Sequence, residues 1–368
     1  MKRIVVFVLV LNAALLGVIA HQLVAIAGGG PVATENGDTN GDGVRNIGDA
    51  IYLLQWLFVG GEEPVPVACA QDAGGLTPEQ EEILGHMSIE YLPVDEDGNT
   101  AKTIRFSGVN VQVVNGTNST DGDVNGLGNL IVGYQELRGA DDDDETDDTN
   151  DRSGSHNLVV GKQNNYSIWG GLVVGDRNTV SGYLSTVGSG TRNTASGWLS
   201  TVSGGGDNVA SGNWSTVSGG GANTAEGDYS TVSGGEGNTA LESSSTVSGG
   251  GANTASGDWS TVSGGGSNTA SGDSSTVSGG FSDAAEGDYS TVSGGINNTA
   301  SGIASTVSGG YDNNASDDYS TVSGGDENTA SGHSSTVSGG DENTASGLGS
   351  TVSGGERNTA DGMRQHIP

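Results

Sequence analysis

Between Asp38 and Asp49 the chain reads DTNGDGVRNIGD, and its oxygen-bearing side chains fall at loop positions 1, 3, 5, 9 and 12: Asp38, Asn40, Asp42, Asn46 and Asp49. Gly43 stands at position 6, where such a loop turns sharply, and Val44 at position 7 offers its backbone carbonyl. A hard divalent cation collects six or more oxygens from one short segment in this way, so the spacing predicts a Ca2+ site. Behind it Ile51, Leu53, Leu54, Trp56, Leu57 and Phe58 form a strongly apolar helical pattern that needs a partner surface.

A second set of residues suits binding rather than metal ligation. Trp214, Tyr229, Trp259, Tyr289 and Tyr319 recur at multiples of fifteen residues, and from Tyr229 onward they come at every thirtieth. A row of exposed rings can stack on sugars much as it does on bases; packing over neighbouring corners or between protomers is the competing reading. The acidic run ADDDDETDDTND, from Ala140 to Asp151, reads as a solvated surface loop, with cation capture as its alternative.

Catalysis finds little support. Serines are plentiful, but none sits in a G-x-S-x-G elbow, and His86, His156, His333 and His366 are scattered without metal-ligand spacing. The chain is expected to be non-catalytic.

The calcium-loop segment over 38–58 resembles one half of a type I dockerin, whose loops end in Asp where an EF-hand has Glu. The resemblance implies calcium and a docking role for a pair of such halves. A single good copy is found here, which leaves a structural calcium clip as the first reading and a docking module as the alternative.

Composition narrows the setting of these residues. The chain has 368 residues with 67 Gly, 32% hydrophobic residues, 5% aromatics and a formal net charge of −33. With only 12 Lys and Arg in total it lacks the clustered cations that phosphate backbones require, which excludes nucleic acid as a partner. Lys2 and Arg3 precede an apolar run from Ile4 to Ala20, and Ala25-Ile26-Ala27 offers a small-x-small cleavage site. Residues 1–27 are therefore read as a signal peptide, and the membrane is met only through this segment or an uncleaved anchor. The protein is expected to be secreted or at the cell surface. Its single cysteine, Cys69, sits in a Pro-rich linker over 63–75 and permits no internal disulfide.

Over 76–128 the sequence predicts a short helix and a β lead-in. TPEQEEILGHMSIEYL is read as helical, with Thr77 as N-cap, Pro78 at the first position and Gln80 completing a capping box. Ile104, Phe106, Val109, Val111 and Val113 then mark extended chain at the start of the repeat stack.

From residue 129 to 362 the chain repeats itself. NLIVG from Asn129 returns as NLVVG from Asn157 and GLVVG from Gly171; thereafter the period is read as 15, with TVSGG opened by Thr201, Thr216, Thr231 and their successors to Thr351. One turn is T-V-S-G-G-x-x-N-T-A-S-G-x-x-S: two short extended pieces between Gly-rich corners, the signature of a β-solenoid coil. Alternation points Val202, Gly204, Asn208 and Ala210 inward and the Thr and Ser residues outward, with stacked Asn side chains forming ladders along the axis. Outward hydroxyl rows also suit ordering of water, as on ice-binding solenoids. A buried Val contributes roughly 1.5 to 3 kcal/mol, whereas ordering each residue costs about 1 to 2 kcal/mol. One turn cannot stand alone, so stability must come from stacking many turns.

The NLVVG, GLVVG and TVSGG phrases followed by N-T-A-S-G resemble the head repeats of YadA-type trimeric autotransporter adhesins. The resemblance implies a mainly β chain folded as a left-handed parallel β-roll, three chains associating as a homotrimer, and adhesion to a surface glycan or matrix ligand. No heptad stalk or C-terminal membrane-anchor pattern accompanies the head, so retention at a surface would need other means. The leading expectation is an extracellular or cell-surface structural and adhesion protein; the alternative is a secreted carbohydrate-binding or scaffold component that docks through the dockerin-like half.

Overall fold

The computed structural model describes residues 76–95, 98–139 and 150–368. The expected signal peptide, the Ca2+ ligands Asp38, Asn40, Asp42, Val44, Asn46 and Asp49, the linker with Cys69, and residues 140–149 of the acidic run lie outside the described residues. The chain divides into two compact units, Met1–Val111 and Gln112–Pro368. Among the described residues no helix is long and apolar enough to cross a membrane.

In the first unit helix α1 (Pro78–Gly85) begins with the expected capping box. The Thr77 hydroxyl accepts from the Gln80 N–H at 3.3 Å, and the Gln80 side chain accepts from the Thr77 N–H at 2.9 Å. The helix is shorter than expected. MSIEYLP leaves it after Gly85 as strand β1 (Met87–Pro93), which pairs antiparallel with β2 (Thr100–Phe106) from Met87↔Phe106 to Pro93↔Thr100. Ile89 and Tyr91 alternate with polar neighbours at period two, and the cross-strand partner overrides the helical reading. Val109, Val111 and Val113 lie beyond the strand, so the extended lead-in stops at Phe106.

The second unit is a parallel β-solenoid of about fourteen turns. Each turn places one short strand in a sixteen-stranded sheet and one in a fourteen-stranded sheet, with neighbours in register from turn to turn. The NLIVG phrases supply the opening strands of the first sheet: β3 (Leu130–Val132), β4 (Leu158–Lys162) and β6 (Leu172–Asp176), with β5 (Asn165–Tyr166) starting the second. Leu130 pairs directly with Leu158, so these two strands are neighbours in the sheet although 28 residues apart in the chain. The 14-residue period lasts one turn longer than the sequence reading had it, because Leu172 pairs with Thr186. The fifteenth residue enters between Val187 and Asn193, where the corner is one residue longer than between Val173 and Asn178.

Val202, Ala210 and their equivalents in successive turns are completely buried and form one continuous core. Asn208 and its equivalents are buried beside them, as expected. The serines were only partly placed by alternation. Ser200, Ser215, Ser230 and their equivalents are wholly buried, because in S-T-V the serine lies on the same side as the valine. The threonines are half-buried, and Gly204 is buried while Gly219 and Gly234 are half-buried.

The Asn ladder takes a specific form. Asn223 Oδ1 accepts the backbone N–H of Asn238 at 3.0 Å, and its Nδ2 donates to the carbonyls of Gly219 and Gly235 at 2.9 and 3.0 Å. Each Asn thus satisfies three backbone groups in and around the coil, which a hydrocarbon could not do. The Gly-Gly corner permits the close approach: a Cβ on Gly220, whose φ is +85°, would lie 2.1 Å from the Gly235 carbonyl oxygen.

The opening turns are sealed differently. Arg138, nearly buried, donates to the carbonyls of Gln163, Arg177 and Asn178 at 3.0, 2.7 and 3.0 Å and to the Thr179 hydroxyl at 2.9 Å. Arg152 donates to the carbonyls of Gln135 and Glu136. The buried Tyr166 hydroxyl accepts from Gln135 at 2.7 Å. Large polar side chains here satisfy backbone groups at the start of the stack.

Candidate functional site

The aromatic row stands on the corner S-G-x-x-S. The serine N–H closes the corner onto the glycine carbonyl three residues back, as from Ser260 to Gly257 at 3.1 Å. The residue just before that serine adopts the left-handed region: φ is +55° at Trp214, +59° at Tyr229, +56° at Trp259, +59° at Tyr289 and +56° at Tyr319. Single non-glycine residues held there cost about 1 kcal/mol or more, and the register enforces it. Each of these N–H groups donates to the preceding turn, as from Tyr229 to the Asn213 carbonyl and from Tyr289 to the Asp273 carbonyl, both at 2.8 Å. The backbone therefore repeats, and Cβ leaves the chain in the same direction at every turn.

All five rings that the sequence singled out are exposed, from 37% at Trp214 to 66% at Tyr289. They fall into two arrangements. Trp198, Trp214 and Tyr229 come from three consecutive turns and form one cluster: Trp198 and Trp214 meet tilted by 57° with centroids 4.5 Å apart, and Trp214 stacks on Tyr229 at 4.9 Å with planes within 2°. Beyond Tyr229 the row opens. Ser244, Ser274 and Ala304 occupy the intervening corners, and among the described residues no ring lies against Trp259 or Tyr289. Trp198 escaped the sequence reading because it precedes the regular corner position by one residue.

Carboxylates line the row one residue upstream. Asp258, Asp273 and Asp288 stand in successive turns. Oδ1 of each accepts a backbone N–H from the turn before: Ser243 at 3.1 Å, Asp258 at 3.2 Å and Asp273 at 3.0 Å respectively. Asp228 and Asp318 do the same for Asn213 and Ile303.

Three further clusters escaped the sequence reading. Asp317, Asp318 and His333 have ligand atoms within 4.8 Å of one another, and the His333 ring lies edge-on to Tyr319 at 5.5 Å. Asp318 and His333 are one full turn apart, so the signal lay in the period itself. At the opposite corner Phe281, Ile296 and Tyr311 line up in consecutive turns and are exposed. Ion pairs span turns on the same side. Arg192 meets Asp207 at 2.7 and 3.0 Å and Arg357 meets Glu342 at the same distances, and each arginine holds its partner's carboxyl below the usual carboxylate range.

One buried group breaks the pattern. Asp283 replaces an Asn of the ladder; its Oδ1 accepts from the N–H and side chain of Asn298 at 2.8 and 3.0 Å, while Oδ2 has no partner. The register sets that oxygen where other turns place an amide donor facing two glycine carbonyls. Burial pushes the Asp283 carboxyl up, partly offset by the Asn298 donors.

Set beside known proteins, the chain has no match among curated sequences. Two stretches of the solenoid, residues 320–332 and 335–347, are matched by the family model for the Ubiquitous surface protein adhesin repeat. The matched stretches are successive coils of the stack, and the parallel β-solenoid that they build fits an adhesin-type repeat, as of a surface adhesion or structural protein.

Proposed function

We propose that this chain is an exported, non-catalytic protein of the cell surface or extracellular space. Its solenoid displays one ligand-facing corner to a surface glycan or matrix component. The observation that carries this reading is the exposed row of aromatic rings and carboxylates that recurs along one corner of a coil of adhesin-repeat type. A repeated site gains strength from many weak contacts engaged together. On this reading three chains associate through solenoid faces, the leader over 1–27 directs export, and the loop from Asp38 to Asp49 holds Ca2+ as a structural clip.

The solution mass of the full chain by light scattering, with calcium and then with chelator, tests the assembly. A trimer in both conditions is expected; a folded monomer in both overturns self-association. Deletion of residues 171–362 is expected to abolish attachment of the protein to its target surface, and attachment that survives the deletion would sink the adhesion reading.

A further inference from the structure

The open part of the aromatic row has a spacing that selects its ligand. Trp214 and Tyr229, one turn apart, lie 4.9 Å from centroid to centroid and leave no room between them. Rings two turns apart, as Trp259 and Tyr289 are, are separated along the stack by about 9.8 Å, twice the turn spacing. The residue between them is Ser274, and between Tyr229 and Trp259 it is Ser244, so each gap has a small floor. Beside the gap between Trp259 and Tyr289 run Asp258, Asp273 and Asp288, each with one oxygen bound to backbone and the other left for a ligand.

We propose that these gaps bind the ammonium groups of lysine side chains carried by a basic protein segment, and that this is the matrix-type ligand of the surface reading on which the proposal rests. A cation midway in such a gap lies about 4.9 Å from either ring, inside the roughly 6 Å reach of a cation–π contact. Three carboxylates one turn apart repel one another and any phosphate, and a cation relieves that repulsion. A phosphocholine headgroup brings its own anion into the same field, and a neutral sugar leaves the field unbalanced. A guanidinium stacked flat on both rings at about 3.5 to 4 Å each would need a gap of only about 7 to 8 Å, whereas a lysine ammonium needs no flat contact and is held as a compact point charge by the carboxylates beside the rings. The chain's net charge of −33 draws a basic partner toward this corner.

The test is calorimetric titration of the full chain at low salt with a synthetic peptide of alternating lysine and glycine. It is compared with its glutamate counterpart, with a neutral cello-oligosaccharide and with phosphatidylcholine vesicles. The decisive variant is Trp259→Ser with Tyr289→Ser, which leaves net charge unchanged and places in the corner the residue that Ser244 and Ser274 already supply there. Binding of the lysine peptide is expected, weakened about tenfold or more by the ring variant. Asp258→Asn, Asp273→Asn and Asp288→Asn together should weaken it as well. Unchanged peptide affinity in the ring variant would reduce the effect to diffuse attraction and overturn the proposal, as would preferential binding of the oligosaccharide or the vesicles. The surface reading fails separately, through attachment that survives loss of residues 171–362.

Discussion

The hairpin of the first unit carries Ile89, Tyr91, Ile104 and Phe106, larger apolar side chains than most solenoid turns possess, yet none of its described residues is buried. A solenoid turn offers little more than one Val and one Ala, and both are fully covered. Burial in this protein therefore follows the number of stacked neighbours rather than the amount of hydrocarbon. Each coil is covered by the turns before and after it, whereas each strand of a two-stranded sheet has one neighbour and open faces. The solenoid completes its interior with Asn and Ser: the Asn amides are paired with backbone groups, whereas the buried hydroxyls of Ser200, Ser215, Ser230 and several equivalents have no hydrogen-bond partner.

The largest effect should come from cutting the ladder. Asn253→Leu removes an acceptor for the Asn268 N–H and donors to the Gly249 and Gly265 carbonyls, at 3.0, 2.9 and 3.0 Å. With unsatisfied buried groups costing about 1 to 3 kcal/mol each, denaturant unfolding followed by circular dichroism should show a loss of about 3 to 5 kcal/mol. A loss below about 1 kcal/mol would mean that packing, and not the ladder, holds the stack.

Asp283→Asn should act in the opposite direction, because it restores the donor that the ladder lacks there. A gain of about 1 to 3 kcal/mol at neutral pH is expected, and it depends on pH in a defined way. The folded-state pKa of Asp283 is raised, so its contribution is complete below the unfolded carboxylate value of about 3.9 and falls as pH rises toward the folded value. The advantage of the variant over the parent chain should therefore shrink on acidification. An advantage independent of pH would show that burial does not raise the Asp283 carboxyl in the fold.

A smaller loss is expected at the corner glycine. A Cβ on Gly257 would lie 2.2 Å from the Gly272 carbonyl oxygen, so Gly257→Ala should cost about 1 to 3 kcal/mol. Glu242 and Asp317 occupy the equivalent position in other turns, which shows that the corner can shift to admit a side chain. Thermal unfolding with no change in midpoint would mean that it shifts freely. Smallest of all should be Ile104→Ser in the hairpin. Unfolding of the solenoid should then change by no more than about 0.5 kcal/mol, and a larger change would show that the hairpin supports the stack.

Much of this was legible in the sequence. The TVSGG phrases at fifteen-residue spacing determined a β-solenoid coil, the capping box at Thr77 determined where the helix starts, and the inward Val, Asn and Ala followed from period two. The reason is that backbone register and local hydrogen bonds depend on neighbours in the chain and on an exact repeat. What only the tertiary structure decided depends on turns meeting turns. Ser215 is buried because adjacent coils close over it, Met87–Pro93 is a strand because Thr100–Phe106 lies opposite, and Trp198, Trp214 and Tyr229 close into one ring cluster while Trp259 and Tyr289 stand apart. Distances between successive turns turn a list of corner residues into a surface, and those distances belong to the stack rather than to any one repeat.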